Sequence, residues 1–188
     1  MVGARLYDLM YRFWAPWDAA GVRDDLRAFL DEGGISPAQY PRAVDLGCGS
    51  GANVVHLASI GFDAYGIDFS PVAIRKAHER ADDAAVTATF LVGDLTGASI
   101  DGVDGAFDLI VDFGTLDDLR GDARRAMART ITRLSRPGSR VLEYCFYGET
   151  GSLPRFSFKG ASRMSHIAPG ELEDLFGDDW AIEPFREY

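Results

Sequence analysis

The sequence predicts an α/β fold: a doubly wound, mostly parallel sheet with helices on both faces. Three observations predict it. Short apolar runs alternate with stretches of helical spacing along most of the 188 residues, the pattern of parallel strands joined by crossover helices. A glycine-rich segment at 47–51 joins one such run to a helix. Acidic and small residues gather directly after the apolar runs, where an open parallel sheet binds its ligands.

Each element has a local reason. Residues 4–14 and 18–32 read as two helices separated by Ala15-Pro16-Trp17, with Asp18 the expected cap of the second and Gly33-Gly34 its end. The apolar run 43–47 is a strand ending in glycine, and 54–60 has helical spacing. A second strand covers 62–67 and closes on Asp68. Ser70-Pro71 opens a helix, with Ser70 at the N-cap and Pro71 at the first helical position, where its missing N–H costs nothing. Strands follow at 87–92 and 107–111, joined by a Gly-, Ser- and Asp-rich connection at 96–106. A helix at 121–134 is stopped by Pro137-Gly138 before a fifth strand at 140–146. A loop over 148–168, a short helix at 168–176 and a last strand at 180–185 complete the reading.

Composition narrows the function. The net charge is −10 with only 19 Lys and Arg residues, which argues against nucleic acid and anionic membranes as partners. The densest basic stretch, Arg120, Arg124, Arg125, Arg129, Arg133 and Arg136, has the spacing of a solvated helix face. Cys48 and Cys145 have no zinc spacing and read as buried free thiols. His56, His78 and His166 share no metal-ligand spacing, so no metal is expected. There is no signal peptide and no apolar run near the about 20 residues that span a bilayer, so the expected compartment is the cytoplasm.

The chemistry concentrates at Val44-Asp45-Leu46-Gly47-Cys48-Gly49-Ser50-Gly51. Alternating glycines let the backbone turn sharply and let a ligand lie against it. The segment also fits the degenerate dinucleotide fingerprint, with Asp68 as the ribose acid. Asp45 weighs against that reading: a pyrophosphate at the helix N-terminus is repelled by a second carboxylate, whereas an ammonium group is attracted by it.

These residues resemble the first motif of class I S-adenosylmethionine (SAM)-dependent methyltransferases, and the resemblance extends over about 44–146. It implies a Rossmann-like sheet and SAM as cofactor. Asp68, with Phe69 beside it, matches the acid for the ribose hydroxyls. Gly93-Asp94-Leu95 matches the adenine segment, Asp94 accepting from the exocyclic amine and Leu95 packing on the ring. Arg136-Pro137-Gly138 matches the Pro-Gly turn before the fifth strand. The plainer readings are local caps for Asp45 and a simple turn for Asp94.

The same resemblance places Asp112-Phe113-Gly114-Thr115-Leu116-Asp117-Asp118 beside the methyl group and its acceptor. Many small-molecule members carry a His pair near 117 and 118; two Asp stand here, suited to a cationic or hydroxyl-bearing substrate or, more plainly, to helix capping. The Asn/Asp-Pro-Pro-aromatic motif of DNA amino-methyltransferases is absent. The aromatic N-terminus, with Tyr7, Tyr11, Phe13, Trp14 and Trp17, is similar to the lid of thiopurine methyltransferase-like members. Tyr7, Tyr11 and Trp14 read as core contacts, and Trp17 as the ligand contact. Phe146, Tyr147, Arg155, Phe156 and Phe158 are candidates for the acceptor wall.

The expectation is therefore one domain, 1–188, made of a helical lid (1–34), a SAM-binding core (42–146) and a substrate segment (147–188). It transfers a methyl group to a small molecule. Candidate catalytic groups are Asp112, Asp117, Asp118 and His166. Candidate cofactor contacts are Trp17, Asp45, Gly47, Gly49, Gly51, Asp68, Phe69, Asp94, Leu95 and Asp112. The alternatives are a NAD-dependent oxidoreductase and a non-catalytic SAM-binding domain. A monomer or weak homo-oligomer is expected. The family's sheet has seven strands, and with only one strand after 146 the chain reads as a shortened form lacking the last.

Overall fold

The computed structural model describes residues 4–13, 18, 21–103, 105–148 and 166–186. Five strands form one sheet in the order β3-β2-β1-β4-β5. They are β1 (Arg42–Leu46), β2 (Asp63–Asp68), β3 (Thr89–Val92), β4 (Phe107–Phe113) and β5 (Ser135–Tyr144). All four pairings are parallel. Helices α2 (Asp24–Glu32), α3 (Ala52–Ser59) and α4 (Pro71–Asp83) cover one face, and α5 (Asp122–Leu134) and α6 (Glu171–Phe176) the other. Two apolar clusters result. Leu26, Val54, Leu57, Ile74, Leu109 and Val111 fill the first; Leu46, Ile67, Ile110, Met127 and Ile131 fill the second. The doubly wound expectation holds, and the strand order reverses beside β1, so the cleft lies over the carboxyl ends of β1, β2 and β4.

Ser70 caps α4, its side chain accepting from the Ala73 amide at 3.2 Å, with Pro71 at the first turn, as the sequence predicts. Helix α2 differs: it starts at Asp24, not at 18, and Arg23 in extended conformation stands at its N-cap. Asp18 instead accepts the hydroxyl of Ser50 in the glycine turn, and Gly21 at φ +67° breaks helical register ahead of α2.

Strand β5 begins earlier than expected. Ser135 pairs with Phe107 and Arg140 with Leu109, so residues 136–139 bulge opposite Asp108. Pro137-Gly138 therefore lies within the strand's span and not ahead of it. Arg136 Nε donates to Asp108 at 2.8 Å, and the Ser139 hydroxyl donates to the Phe107 carbonyl at 2.7 Å, which ties the bulge down. The short helix begins at Glu171, later than 168, after Gly170 at φ +82°.

The expected strand at 180–185 is not formed: these residues are irregular and pair with no strand. Their side chains anchor them instead. Trp180 packs edge-on against Phe176, Phe185 against Phe29 of α2, and Arg186 pairs with Glu32. The outer edge of β5 carries no further strand among the described residues; just past β5, Tyr147 makes a single parallel bridge to Ile167. No helix among the described residues is long and apolar enough to cross a membrane.

Candidate active site

The glycine turn is built by close packing. Gly47, Gly49 and Gly51 all have positive φ, the left-handed region that side chains rarely adopt. A Cβ on Gly47 would lie 2.0 Å from Thr115 Oγ1, and one on Gly51 would lie 2.8 Å from the Ala77 side chain. Those two glycines let β4's loop and α4 close on the turn. Gly49 faces the cleft, where its nearest neighbour is the Tyr11 hydroxyl, 2.6 Å from where a Cβ would stand.

Asp68 ends β2 and is buried. Its Oδ2 accepts from the Gly49 amide at 3.0 Å and its Oδ1 from the Ser70 amide at 2.8 Å. The carboxylate thus clasps the glycine turn to the start of α4. Burial raises its pKa, and the two amides pull it back. Asp45, 2% exposed on β1, is pushed up to about 7 by burial first and then by Asp112, with Asn53 opposing. Phe69 is partly exposed and meets Tyr7 edge-on at 5.2 Å between ring centroids.

Helix α1 (Ala4–Phe13) lies across this cleft. Tyr11 is buried against Val72 and Ala73, its carbonyl accepts from Lys76, and its hydroxyl stands over Gly49. Asp8 accepts from Ser70, and Tyr7 donates to Asp118 at 3.3 Å. The expected core contacts hold, Tyr11 lying in a buried cluster with Val72 and Ala73 and Tyr7 packing against it; in addition both hydroxyls reach site residues, because the helix they share crosses the strand ends. Trp14, Trp17, Arg155, Phe156 and Phe158 lie outside the described residues.

The other candidates are less alike than their sequence suggests. Asp94 is exposed and accepts from the amide and hydroxyl of Thr96 at 2.8 and 2.6 Å, the geometry of a turn. Leu95 is buried beside Ile67 and Ile100 in the second core cluster. Asp112 is fully buried and accepts from the Thr115 and Leu116 amides at 3.0 and 2.8 Å, so it holds the 113–119 turn; burial pushes it to about 6. Asp117 is also buried, accepts from the Phe146 amide at 2.8 Å and is pushed to about 6 by burial. It joins the turn to the residues after β5, and does not cap α5. Asp118 is exposed and accepts from the Tyr7 hydroxyl. His166 is half-buried beside Glu171. Cys48 is buried, while Cys145 is only partly so, its thiol raised to about 12 by burial and by Asp117.

Two residues here escaped the sequence reading. Arg124 belongs to the stripe expected to face solvent, yet it is 4% exposed. Its guanidinium donates to the carbonyls of Leu116, Asp117 and Leu119 at 3.1, 2.8 and 2.9 Å and to Glu171 at 2.7 Å. Glu143 pairs in register with Asp112, and its carboxyl oxygens are buried. Only the period-two alternation of β5, with Val141 and Cys145 on the same face, marked the position as inward.

The arrangement is an acid-lined cleft with a glycine turn at its floor, suited to a ligand with hydroxyls for Asp68 and positive charge for Asp45. The model of the methyltransferase domain family matches residues 43–138, more than half of the chain. The chain belongs to that family. The match bears out the resemblance to class I SAM-dependent methyltransferases, with SAM as cofactor, and decides against the NAD-dependent oxidoreductase alternative.

The methyltransferase is 32% identical over 100 residues to a ubiquinone biosynthesis O-methyltransferase of Methylococcus capsulatus, covering 53% of this chain and 41% of that protein. It is 28% identical over 159 residues to a magnesium-protoporphyrin O-methyltransferase of Rhodobacter capsulatus, covering 81% and 68%. A solved structure concerned with the conversion of a disulfide bond into a thioacetal group during echinomycin biosynthesis superposes with a TM-score of 0.77 at 27% identity, covering 96% of this chain and 80% of the other. The fold is shared with magnesium protoporphyrin IX methyltransferase from Synechocystis PCC 6803 with bound SAM (TM-score 0.62, 21% identity, 83% and 65% covered).

Two expected outcomes arise from this geometry. Gly49→Val should abolish SAM binding while leaving the sheet folded. The substituted Cβ would stand 2.6 Å from the Tyr11 hydroxyl, so Tyr11 must shift, the valine fills the ligand side of the turn, and φ +54° adds strain. Calorimetry of the folded variant checks it; native SAM affinity would mean that the ligand does not lie on this turn.

The second concerns pH. Asp45 at about 7 and Asp112 and Asp117 at about 6 all lie above the ordinary 3.8. The folded protein therefore holds protons that the unfolded chain has released, and stability without ligand should fall as pH rises from about 4 to about 7. Thermal unfolding across that range measures it. A SAM cation favours the ionised form of Asp45, so SAM should stabilise more at pH 8 than at pH 6. Stability rising steadily through the window would show these acids to be ionised throughout.

Proposed function

We propose that this methyltransferase moves the methyl group of SAM to a small-molecule nucleophile by in-line displacement. The observation that carries the reading is Asp68, a buried carboxylate bonded to the Gly49 amide at the floor of an acid-lined cleft under Tyr7 and Tyr11. SAM, when bound, supplies an electrophilic methyl on a sulfonium centre. The chain's own groups do the rest. Asp68 would accept from the ribose hydroxyls, Asp45 would face the ammonium group, and Gly47, Gly49 and Gly51 would give the ligand room. Asp94, Leu95 and Phe69 would flank the adenine, and Trp17 would complete the cover. Orientation and exclusion of water supply most of the rate.

A thiol or amine acceptor needs no base. A hydroxyl acceptor does, and Asp117, with a pKa of about 6, would take its proton at neutral pH, with Asp118, Asp112 and His166 the further candidates. The surrounding carboxyls favour a neutral or cationic acceptor. The curated relatives named above are O-methyltransferases, which, with the acidic surroundings, supports a neutral hydroxyl acceptor first; sulfur, nitrogen and carbon acceptors remain within the reading. The chain spans 41% of the ubiquinone enzyme's length. The unit would comprise the lid 1–34, the core 42–146 and the substrate segment 147–188, and would work in the cytoplasm as a monomer or weak homo-oligomer, without nucleic acid or membrane as partner.

Calorimetric titration with SAM, S-adenosylhomocysteine and NADH tests the cofactor. Binding of NADH alone would overturn the reading. An acceptor screen that follows release of S-adenosylhomocysteine tests the reaction. Tight SAM binding with no release for any hydroxyl, carboxyl, thiol or amine acceptor would favour the non-catalytic SAM-binding domain.

A further inference from the structure

Glu143 stands opposite Asp112 in the β4–β5 register, on the face that carries the 113–119 turn. Its two carboxyl oxygens are buried and neither meets a donor. The groups that face it are all acidic or weakly so: Asp112 of β4, Asp117 of the turn and Cys145 just past β5. Arg124 of α5 is committed to Glu171 and to the carbonyls of the turn. Two adjacent buried carboxyls cannot both ionise. Asp112 already receives two amides and so keeps its charge, whereas Glu143 has no donor and keeps the proton. That proton converts two facing acceptors into a donor and an acceptor.

We propose that Glu143 is a positioning residue for the methyl-acceptor turn: as the neutral acid it donates to Asp112, which then holds the Thr115 and Leu116 amides and so fixes the 113–119 turn that carries Asp117 and Asp118. This rests on the reading of 112–118 as the segment beside the acceptor. Glu143 belongs to none of the sequence motifs. Burial and Asp112 both drive its pKa well above the ordinary carboxyl value, so the donor persists through neutral pH. When Glu143 ionises at alkaline pH, repulsion releases Asp112 from the amides, and the turn loosens without loss of the cofactor cleft.

The test uses the full chain and two variants, with S-adenosylhomocysteine as the bound probe. Glu143→Gln keeps an N–H donor but cannot ionise; Glu143→Leu has no donor. Infrared difference spectra between wild type and each variant, taken at pH 8.5 where Asp45, Asp112 and Asp117 are ionised, should show a buried protonated-carboxyl band in the wild type that is lost in both variants. Hydrogen exchange of the Thr115 and Leu116 amides, corrected for intrinsic rate, should accelerate about tenfold or more at alkaline pH in the wild type. It should stay slow at every pH in Glu143→Gln and be fast at every pH in Glu143→Leu. An unchanged protonated-carboxyl band in Glu143→Gln, or unchanged amide protection in Glu143→Leu, would overturn the proposal. Should Glu143→Leu not fold, the Glu143→Gln band and pH profile decide alone. Binding of S-adenosylhomocysteine by the wild type is read separately. Its absence would count against the methyltransferase reading, while the infrared and exchange results would still decide the role of Glu143.

Discussion

Arg124→Ala is expected to lower unfolding stability by about 2–4 kcal/mol, through loss of a buried guanidinium that satisfies buried carbonyls. The side chain is enclosed, and its guanidinium serves the carbonyls of Leu116, Asp117 and Leu119 together with Glu171. Alanine leaves those carbonyls without donors, and each unsatisfied buried group costs about 1–3 kcal/mol, the contributions not being additive. Glu171, whose carboxylate is pulled down by the Ala168 amide and by Arg124, keeps only the amide, so α6 loosens as well. Arg124→Lys should recover only part of the loss, because one ammonium cannot reach diverging carbonyls as a planar fork does. Urea unfolding measures both variants. A loss below about 1 kcal/mol for the alanine variant would mean that water replaces the guanidinium and that the buried arginine is not what fixes the turn.

Asp68→Ala is expected to weaken SAM binding by about 1–3 kcal/mol, the cost of removing a charged acceptor from buried hydroxyls. The structure adds a second effect, since the same carboxylate orders the turn through Gly49 and Ser70. It also sets the expectation for Asp68→Asn. An asparagine keeps one acceptor oxygen, and its amide group then faces a backbone N–H that it cannot accept from. The Asn variant should therefore lie close to Ala and not midway to wild type. Calorimetry with SAM on folded protein decides it; native affinity for either variant would remove Asp68 from the cofactor site.

The local signals in the sequence were strong where a residue's own neighbours fix its conformation. Ser70-Pro71 started α4 because an oxygen acceptor and a ring without an N–H suit a first turn wherever it lies. The glycines at 47, 49 and 51 marked a sharp turn because only they adopt those positive φ values without strain. The reading failed where a partner comes from far along the chain. Asp18 has the composition of a cap but is taken by Ser50, and the run at 180–185 has the composition of a strand but is held by side chains of α2 and α5.

From the sequence alone came the alternation of strands and helices, the cleft at the strand ends and the acids that line it. A period of two or 3.6 states which side of its own element a residue occupies. What covers that side was decided by tertiary structure. Tyr11 reaches Gly49, Tyr7 reaches Asp118, and Glu143 meets Asp112 only because the sheet order brings β5 beside β4 and lays α1 across the strand ends. Arg124 has the spacing of a solvated face and is buried by a turn and a helix on either side of β5 in the chain. A charge's surroundings, and hence whether it is solvated, paired or protonated, depend on segments that local periodicity does not encode.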